Sequence, residues 1–313
     1  MSETFKPFIS IVAPVYNEEH CLQEFWRRLG AVIESQKFEA EVIFIDDGSK
    51  DSSLSLLQAL RQKHPSIKIL EFSRNFGHQV AVKAGIDHAK GDLVIIMDTD
   101  MQDPPEVISD LLAKWKEGYD VVYAIRASRQ GENLFKKWTA QLYYRLIRKI
   151  AHLDIPLDAG DFRLITRRVA EAVRAIKEKH PYIRGLISWV GFKQAGVPVH
   201  REARFAGETK YSLGRMFQLA WSGITHFSFL PLQISTWIGF MASIFCLAWI
   251  AVALYVSLVL HIAVPGWASL MVAVLFLGSV QLITLGIIGS YLARNFEESR
   301  SRPLYIIQNK EGF

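Results

Sequence analysis

One long charge-free stretch limits most strongly what this chain can fold into. Between Arg215 and Arg294 the sequence contains no Asp, Glu, Lys or Arg. Two apolar segments, residues 232–260 and 268–292, fill most of this stretch. A helix needs roughly 20 apolar residues to cross the hydrocarbon core of a bilayer, and buried helices of soluble proteins rarely run this long without a charge. We therefore expect two membrane-spanning helices.

Basic residues flank both predicted spans, whereas the loop between the spans carries no charge. They are Arg201, Arg204, Lys210 and Arg215 before the first span, and Arg294, Arg300 and Arg302 after the second. Because positive residues collect on the cytoplasmic side, we expect both termini in the cytoplasm. No charged segment with a cleavage site precedes the first predicted strand, so we expect no signal peptide.

These patterns divide the chain into four predicted parts. Residues 1–210 form a cytoplasmic domain, and 211–230 form an amphipathic interfacial helix or linker. Residues 231–294 contain the two transmembrane helices, and 295–313 form a cytoplasmic C-terminal tail. An integral, multi-pass membrane protein with a soluble N-terminal domain follows from this division.

Composition excludes several classes of protein. The two cysteines, Cys21 and Cys246, lie in different predicted parts, so neither a disulfide framework nor a zinc cluster is expected. The net charge of +5 suits anionic lipid headgroups or a phosphate-bearing substrate. We find no motif that reads nucleic acid, and we predict no nucleic-acid partner.

The N-terminal third alternates short apolar runs with segments of helical periodicity. Strands are predicted at residues 8–14, 41–45, 67–72 and 92–97, with helices between them. Alternation of this kind predicts an α/β domain with a mostly parallel, doubly wound sheet. In such sheets ligands bind outside the carboxyl ends of the strands.

Four polar loops follow these strands and should converge on one crevice. They are Pro14-Val15-Tyr16-Asn17-Glu18, Asp46-Asp47-Gly48-Ser49, Ser73-Arg74-Asn75-Phe76-Gly77 and Asp98-Thr99-Asp100. Neither a Gly-x-Gly-x-x-Gly turn after the first strand nor a Gly-Lys-Ser/Thr phosphate loop is present. A dinucleotide-dependent oxidoreductase and a P-loop NTPase are therefore not expected.

The pair Asp98 and Asp100 is the most informative of these motifs for chemistry. Two carboxylates one residue apart at the exit of a strand can share one hard divalent cation, and such a cation can neutralise a diphosphate. Ordinary turn chemistry is the alternative explanation for two aspartates at this position.

Seven motifs in order carry a resemblance to a known family. Besides the first three loops, they include Asp98-Thr99-Asp100-Met101-Gln102-Asp103-Pro104-Pro105, Gly160-Asp161-Phe162-Arg163-Leu164, Arg184-Gly185-Leu186-Ile187-Ser188-Trp189 and Arg204-Phe205-Ala206-Gly207-Glu208-Thr209-Lys210-Tyr211. The chain closely resembles, over essentially its whole length, the inverting glycosyltransferases of family 2, which have the Rossmann-like GT-A fold. Within that family it looks most like the polyprenyl-phosphate glycosyltransferases, including bactoprenol glucosyltransferases and dolichol-phosphate mannose synthases.

The resemblance implies a nucleotide pocket and a metal site. The pocket residues would be Pro14, Tyr16, Asn17, Glu18, Asp46, Asp47, Asp98 and Thr99. Asp98, Asp100 and Gln102 would hold Mg²⁺ or Mn²⁺ against the diphosphate. For Asp47 and Ser49 a turn and a helix cap are the alternative roles.

The resemblance also implies a base and a set of cations. The candidate base is Asp158, with Asp161 as the second choice; pairing with Arg163 or Arg167 is the alternative for either carboxylate. Arg163, Arg204 and Lys210 would contact the substrate phosphates. For Lys210, contact with lipid headgroups alone is the competing role.

The function implied is inverting transfer of a hexose to undecaprenyl or another polyprenyl phosphate at the cytoplasmic face of a bacterial inner membrane. Glucose from UDP-glucose is preferred, and mannose or aminoarabinose stays open. A non-catalytic membrane protein that binds nucleotide or lipid is the alternative from another class. The resemblance further implies a homo-oligomer, a tetramer by analogy with the family, and leaves room for a flippase partner.

Overall fold

The computed structural model describes residues 6–126, 159–199, 230–258 and 266–313. The chain divides into two units, of which the first comprises Met1–Arg148, Leu153–Thr209 and Arg302–Phe313. The second unit comprises Lys149–His152 and Lys210–Ser301. The predicted interfacial segment, residues 211–230, lies outside the described residues except for its last residue.

A mixed sheet of eight strands forms the centre of the first unit. The strands are β1 (Ile9–Val15), β2 (Ala40–Asp46), β3 (Ile67–Phe72), β4 (Leu93–Ile96), β5 (Val121–Arg126), β6 (Ala159–Thr166), β7 (Gln194–Val199) and β8 (Ile307–Glu311). Their spatial order is β7-β5-β6-β4-β1-β2-β3-β8. The strands β3, β2, β1 and β4 run parallel, so the predicted α/β class and the mostly parallel sheet are confirmed.

Helices cover both faces of this sheet. They are α1 (Leu22–Gln36), α2 (Ser53–Lys63), α3 (His78–His88), α4 (Ile108–Lys116), α5 (Arg167–Ala175) and α6 (Ile183–Trp189). In β1, Ile11 and Ala13 belong to the core under α1 and α4, whereas Val12 belongs to the core under α3, α5 and α6. Side chains alternate across a strand, so one apolar run supplies both cores and every residue of β1 is buried.

The last strand, β8, follows the apolar helices in sequence and returns to the sheet. It pairs antiparallel with β3, with Leu70 opposite Lys310 and Glu71 opposite Asn309. Residues 295–313 were predicted to be a C-terminal tail, and the strand within them was not predicted. A polar edge strand lacks the apolar run by which the buried strands were recognised.

The second unit contains two long helices, α7 (Leu230–Leu258) and α8 (Trp267–Ser299). The Ser235 hydroxyl on α7 donates a hydrogen bond to Thr284 Oγ1 on α8 at 2.8 Å. Within the searched residues, one helical segment, Val272–Ser299, has the length and apolar composition of a membrane span. Helix α8 extends past the predicted end at residue 292 and includes the charged residues near Glu298.

Candidate active site

A cleft of about 360 Å³ opens at the carboxyl ends of β1, β2, β3 and β4. Seven of the predicted site residues line it: Pro14, Tyr16, Glu18, Asp47, Asp98, Thr99 and Asp100. The other lining residues are Val15, Asn75, Gly77, His78 and Ala81. The four loops therefore converge as parallel topology predicts.

The segment after β4 is held in place by its own backbone geometry. Thr99 is buried, and its hydroxyl donates a hydrogen bond to the Pro14 carbonyl at 3.2 Å, which ties this segment to the end of β1. Met101 has a φ of 62°, in the left-handed region, and the amide of Gln102 donates to Asp100 Oδ1 at 3.1 Å. This sharp turn presents Asp98 and Asp100 at the same cleft.

Asp47 joins two of the loops that line the cleft. Its carboxylate accepts the backbone N–H groups of Phe76 at 2.6 Å and Gly77 at 3.0 Å. Next to it, Gly48 has a φ of 69°, and a Cβ there would lie 2.7 Å from main-chain atoms of Arg74 and Asn75. The glycine of this motif is thus needed for close loop contact.

Two predicted pocket residues make contacts within the loops. Asp46 is buried, and its carboxylate accepts the N–H of Ser49 at 3.3 Å. Asn17 donates its N–H to Ser49 Oγ at 3.1 Å and accepts the N–H of Lys50 at 2.8 Å. These contacts support the shape of the cleft, and direct nucleotide contact by Asn17 or Asp46 stays a prediction.

His78 is a cleft residue that the sequence analysis missed. It is the first residue of α3, and its Nε2 lies 3.4 Å from Asp161 Oδ2 and 3.6 Å from Asp98 Oδ1. Burial by itself lowers the pKa of His78, but the two carboxylates outweigh it and hold that pKa above its usual range. The sequence did offer one indication of this role: His78 directly follows Gly77, the last residue of a loop that was already predicted to line the cleft.

Asp161, the second choice for a base, pairs with Arg184. The guanidinium donates to the carboxylate through Nε at 2.6 Å and through a terminal nitrogen at 2.8 Å. Burial alone would raise the pKa of Asp161, but the bonds from Arg184 and His78 hold that pKa well below its usual range. A carboxylate this weakly basic is poorly suited to accept a proton. Arg163 and Arg167, the partners named in the alternative to a catalytic role, donate to main-chain carbonyls instead.

Arg163 lies inside the fold. Its guanidinium donates to the Gly160 carbonyl at 2.8 Å, its side chain is nearly fully buried, and burial lowers its pKa to about 10. Contact between Arg163 and a phosphate stays a prediction, one that requires this side chain to leave its buried position. Arg184, at the start of α6, is the more exposed of the two guanidinium groups.

The carboxylates beside the cleft fit a divalent cation. Asp98 Oδ1 is buried and has no hydrogen-bond partner among the described residues. Burial is the main cause that raises the pKa of Asp98 to about 6; His78 opposes the rise, and Asp161, Asp100 and Asp103 add to it. A cation beside this oxygen would supply the missing partner and offset the neighbouring negative charges.

His78, Asp98 and Asp161 also offer three ligand atoms within 4.8 Å of one another. Asp161 already binds Arg184 with both oxygens, whereas Asp98 and Asp100 both line the cleft, so we expect the cation at Asp98 and Asp100.

Three predicted site residues lie outside the described residues. They are Asp158, the preferred base, and the phosphate-contacting Arg204 and Lys210. Their roles stay predictions.

The fold is that of the GT-A glycosyltransferases. Glucosyl-3-phosphoglycerate synthase from Mycobacterium tuberculosis, in complex with UDP, superposes with a TM-score of 0.50 over 70% of this chain and 78% of that chain, at 16% identity. The chain belongs to glycosyl transferase family 2, whose family model matches residues 10–174. Both the predicted fold and the predicted family are thus confirmed.

Relatives extend the similarity beyond the matched domain. An uncharacterized glycosyltransferase of Bacillus subtilis, YkcC, is 46% identical over 97% of this chain and 94% of its own length. The bactoprenol glucosyl transferase of Shigella phage SfV is 42% identical over 97% of this chain and 99% of its own length. A prophage bactoprenol glucosyl transferase homolog of Escherichia coli is 40% identical over 96% of this chain.

Proposed function

We propose that this protein transfers a hexose from a nucleotide sugar to a polyprenyl phosphate, with glucose from UDP-glucose as the preferred donor. The observation that carries the proposal is the 42% identity to the bactoprenol glucosyl transferase of phage SfV over 99% of that relative's length. A match of this extent includes the apolar helices as well as the catalytic domain. Those helices suit an enzyme whose acceptor resides in the membrane.

The donor would bind in the cleft with its diphosphate next to Asp98 and Asp100. Tyr16 is 44% exposed at the cleft, so its ring is available to lie against a nucleotide base. Glu18 and Asp47 also line the cleft and can accept hydrogen bonds from base or ribose donors. Mg²⁺ or Mn²⁺, held by Asp98 and Asp100 with Gln102 nearby, would act as a Lewis acid toward the departing nucleotide.

The acceptor is a phosphate monoester that is largely ionised near neutral pH, so its attack on the anomeric carbon needs little help from a base. We assign removal of any residual proton to Asp158. Asp161 has a depressed pKa and is bound by Arg184, so we assign it a positioning role beside His78. Arg204 and Lys210 would hold the two negatively charged substrates together.

We place the catalytic unit on the cytoplasmic side of a bacterial inner membrane, with two transmembrane helices. Arg302–Phe313 belongs to the same unit as the N-terminal domain, although Lys210–Ser301 separates them in sequence. A chain that leaves the unit, crosses the membrane and returns must cross it an even number of times. If α8 is one crossing, α7 supplies the other. The basic residues that flank the two helices favour the cytoplasmic side for the catalytic unit.

We further propose that the protein assembles as a homo-oligomer, a tetramer by analogy with its family. An added Cβ would meet nothing within 4 Å at Gly278, Gly286 or Gly289 on α8, so these positions would allow close helix contact. Because the product sugar lies on a lipid at the cytoplasmic face, a flippase partner would be needed for later use on the other side.

The test is transfer of radiolabel from UDP-glucose, and in parallel from GDP-mannose, to undecaprenyl phosphate by the purified full-length protein. Label should enter the organic phase only with Mg²⁺ or Mn²⁺, and EDTA should abolish the transfer. Asp100→Asn should lower the rate on the order of 100-fold, because it weakens binding of the metal ion that would neutralise the negative charge on the leaving diphosphate.

Asp110→Asn is the matched control, because Asp110 is an exposed aspartate on α4. Its rate should equal that of the unmodified protein. Full activity of Asp100→Asn would contradict the metal assignment. A folded protein that binds UDP but transfers from neither donor would point first to another sugar, such as aminoarabinose, and then to a binding protein.

A further inference from the structure

The C-terminal strap, residues 305–311, contacts the catalytic sheet along β3 and at Ser73 just after it. Its first residue, Tyr305, comes six residues after the end of α8 at Ser299. The Ser73 amide, just after β3, donates a hydrogen bond to the Ile306 carbonyl at 3.0 Å. The strap is therefore fixed to the point where β3 enters the loop before α3.

An aromatic series begins at Tyr305 and ends in that loop. The Tyr305 ring stacks on Phe72 with ring centres 5.3 Å apart and an interplanar angle of 16°. Phe72 in turn contacts Phe76 edge to face, with ring centres 5.6 Å apart. The Tyr305 hydroxyl donates to Asp87 Oδ2 on α3 at 3.2 Å, which sets the orientation of the first ring.

The opposite side of the same loop is fixed by Asp47, which accepts the amides of Phe76 and Gly77. The guanidinium of Arg74 lies 3.9 Å over the Phe76 ring. The loop from Ser73 to Gly77 is thus held between Asp47 and the aromatic series. Its residues Asn75 and Gly77, together with His78, form one wall of the cleft.

We propose that Tyr305 is a positioning residue for the cleft. Its ring, through Phe72 and Phe76, holds the Ser73–Gly77 loop in the conformation that lets Asp47 bind it and lets His78 face Asp98. The C-terminal strap thereby links the end of helix α8, through the five residues 300–304, to the wall of the nucleotide cleft. The effect on donor binding rests on the proposed function, whereas the effect on loop order does not.

Loop order is measured by amide hydrogen exchange in the full-length protein. Tyr305→Leu keeps an apolar side chain without a ring, and Tyr305→Phe keeps the ring without the hydroxyl. Because aromatic pairs contribute beyond the area they bury, Tyr305→Leu should speed exchange in residues 73–80 about tenfold. Tyr305→Phe should retain most of the protection, and Asn309→Ala, an exposed site on the same strand, should change nothing.

A peptide from β1 reports on the whole sheet. Its exchange should stay unchanged in Tyr305→Leu, since only the loop is expected to loosen. If residues 73–80 and β1 lose protection together, or if neither changes, the proposal is overturned. Equal loosening in Tyr305→Phe and Tyr305→Leu also overturns it, because the hydroxyl rather than the ring stack would then be decisive.

The kinetic counterpart uses UDP-glucose as the donor. Tyr305→Leu should raise the donor KM about tenfold and leave kcat within about twofold, because the reacting groups themselves are intact. A fall in kcat with an unchanged KM would overturn the link to donor binding. The exchange measurement needs no turnover, so it decides the role of the strap even if UDP-glucose proves not to be a substrate.

Discussion

At the residue scale, the ionisation of Asp98 should control the stability of the metal-free protein. Its pKa is raised from 3.8 to about 6, mainly by burial, so the ionised carboxylate is less favourable in the folded state than in the unfolded state. Stability from this group is therefore highest below pH 3.8 and falls as the pH rises through about 6. Above that pH the ionised group destabilises the fold by on the order of 2–3 kcal/mol.

Asp98→Asn removes this buried charge. We expect the free energy of unfolding of the metal-free variant to be about 1–2 kcal/mol higher at pH 7.5, with a flatter profile between pH 3.8 and about 6. Thermal denaturation in EDTA across this pH range measures the change, with Asp110→Asn as the control. In the unmodified protein Mn²⁺ should restore stability, and in Asp98→Asn it should not. A variant less stable than the unmodified protein at pH 7.5 would contradict the expected sign.

The sequence indicated which loop residues meet at the cleft but not how their side chains pair. Tyr16, Asp47 and Asp98 were expected at the cleft because each lies in a loop that follows a recognisable strand. The contact between His78 and Asp161 joins positions far apart in sequence, and only the antiparallel placement of β6 beside β4 brings them together. The spacing of residues along the chain does not predict such a contact.

At the element scale, the contact between the loops after β2 and β3 should depend on Gly48. An alanine there has to adopt a φ of 69° and places its Cβ 2.7 Å from main-chain atoms of Arg74 and Asn75. We expect Gly48→Ala to lower the free energy of unfolding by about 2–3 kcal/mol and to weaken UDP binding, because the displaced loop forms one wall of the cleft.

Gly118→Ala separates backbone strain from this steric conflict. Gly118 has a φ of 90°, but a Cβ there would meet nothing within 4 Å. Its alanine variant should be destabilised by about 1 kcal/mol and should bind UDP normally. Thermal denaturation and UDP titration of both variants make the comparison. Equal effects of the two substitutions on UDP affinity would show that loop contact at Gly48 does not shape the cleft.

Strands differ in how readily their sequences reveal them. Strands β1 to β4 are apolar runs followed by polar loops, and the prediction for β3 matches residues 67–72 as observed. Strand β8 has the sequence Ile-Gln-Asn-Lys-Glu, with polar residues on both faces. An edge strand has one neighbour and half of its surface in solvent, so its sequence is not constrained to be apolar. The pairing of β8 with β3 depends on tertiary structure, which local sequence patterns do not predict.

At the scale of the whole molecule, the two kinds of evidence for topology are independent. Composition predicts two apolar helices, and the basic flanks predict that both ends lie on one side. The return of Ile307–Glu311 to the sheet requires that the chain between β7 and β8 cross a membrane an even number of times, if it crosses one at all. A strand hydrogen-bonded to β3 cannot lie across the membrane from it.

This topology predicts which cysteines a membrane-impermeant maleimide can reach. In a protein with Cys21 and Cys246 replaced by serine, Asn309→Cys on exposed β8 should be labelled in inverted vesicles and protected in intact spheroplasts. Ala263→Cys, between the two apolar helices in sequence, should show the opposite pattern. Opposite labelling of the two sites means that α8 crosses, and because β8 pairs with β3, α7 must then cross as well. Labelling of both sites from the same side would mean that the helices do not form two crossings, and the acceptor lipid would then have to reach the cleft by another route.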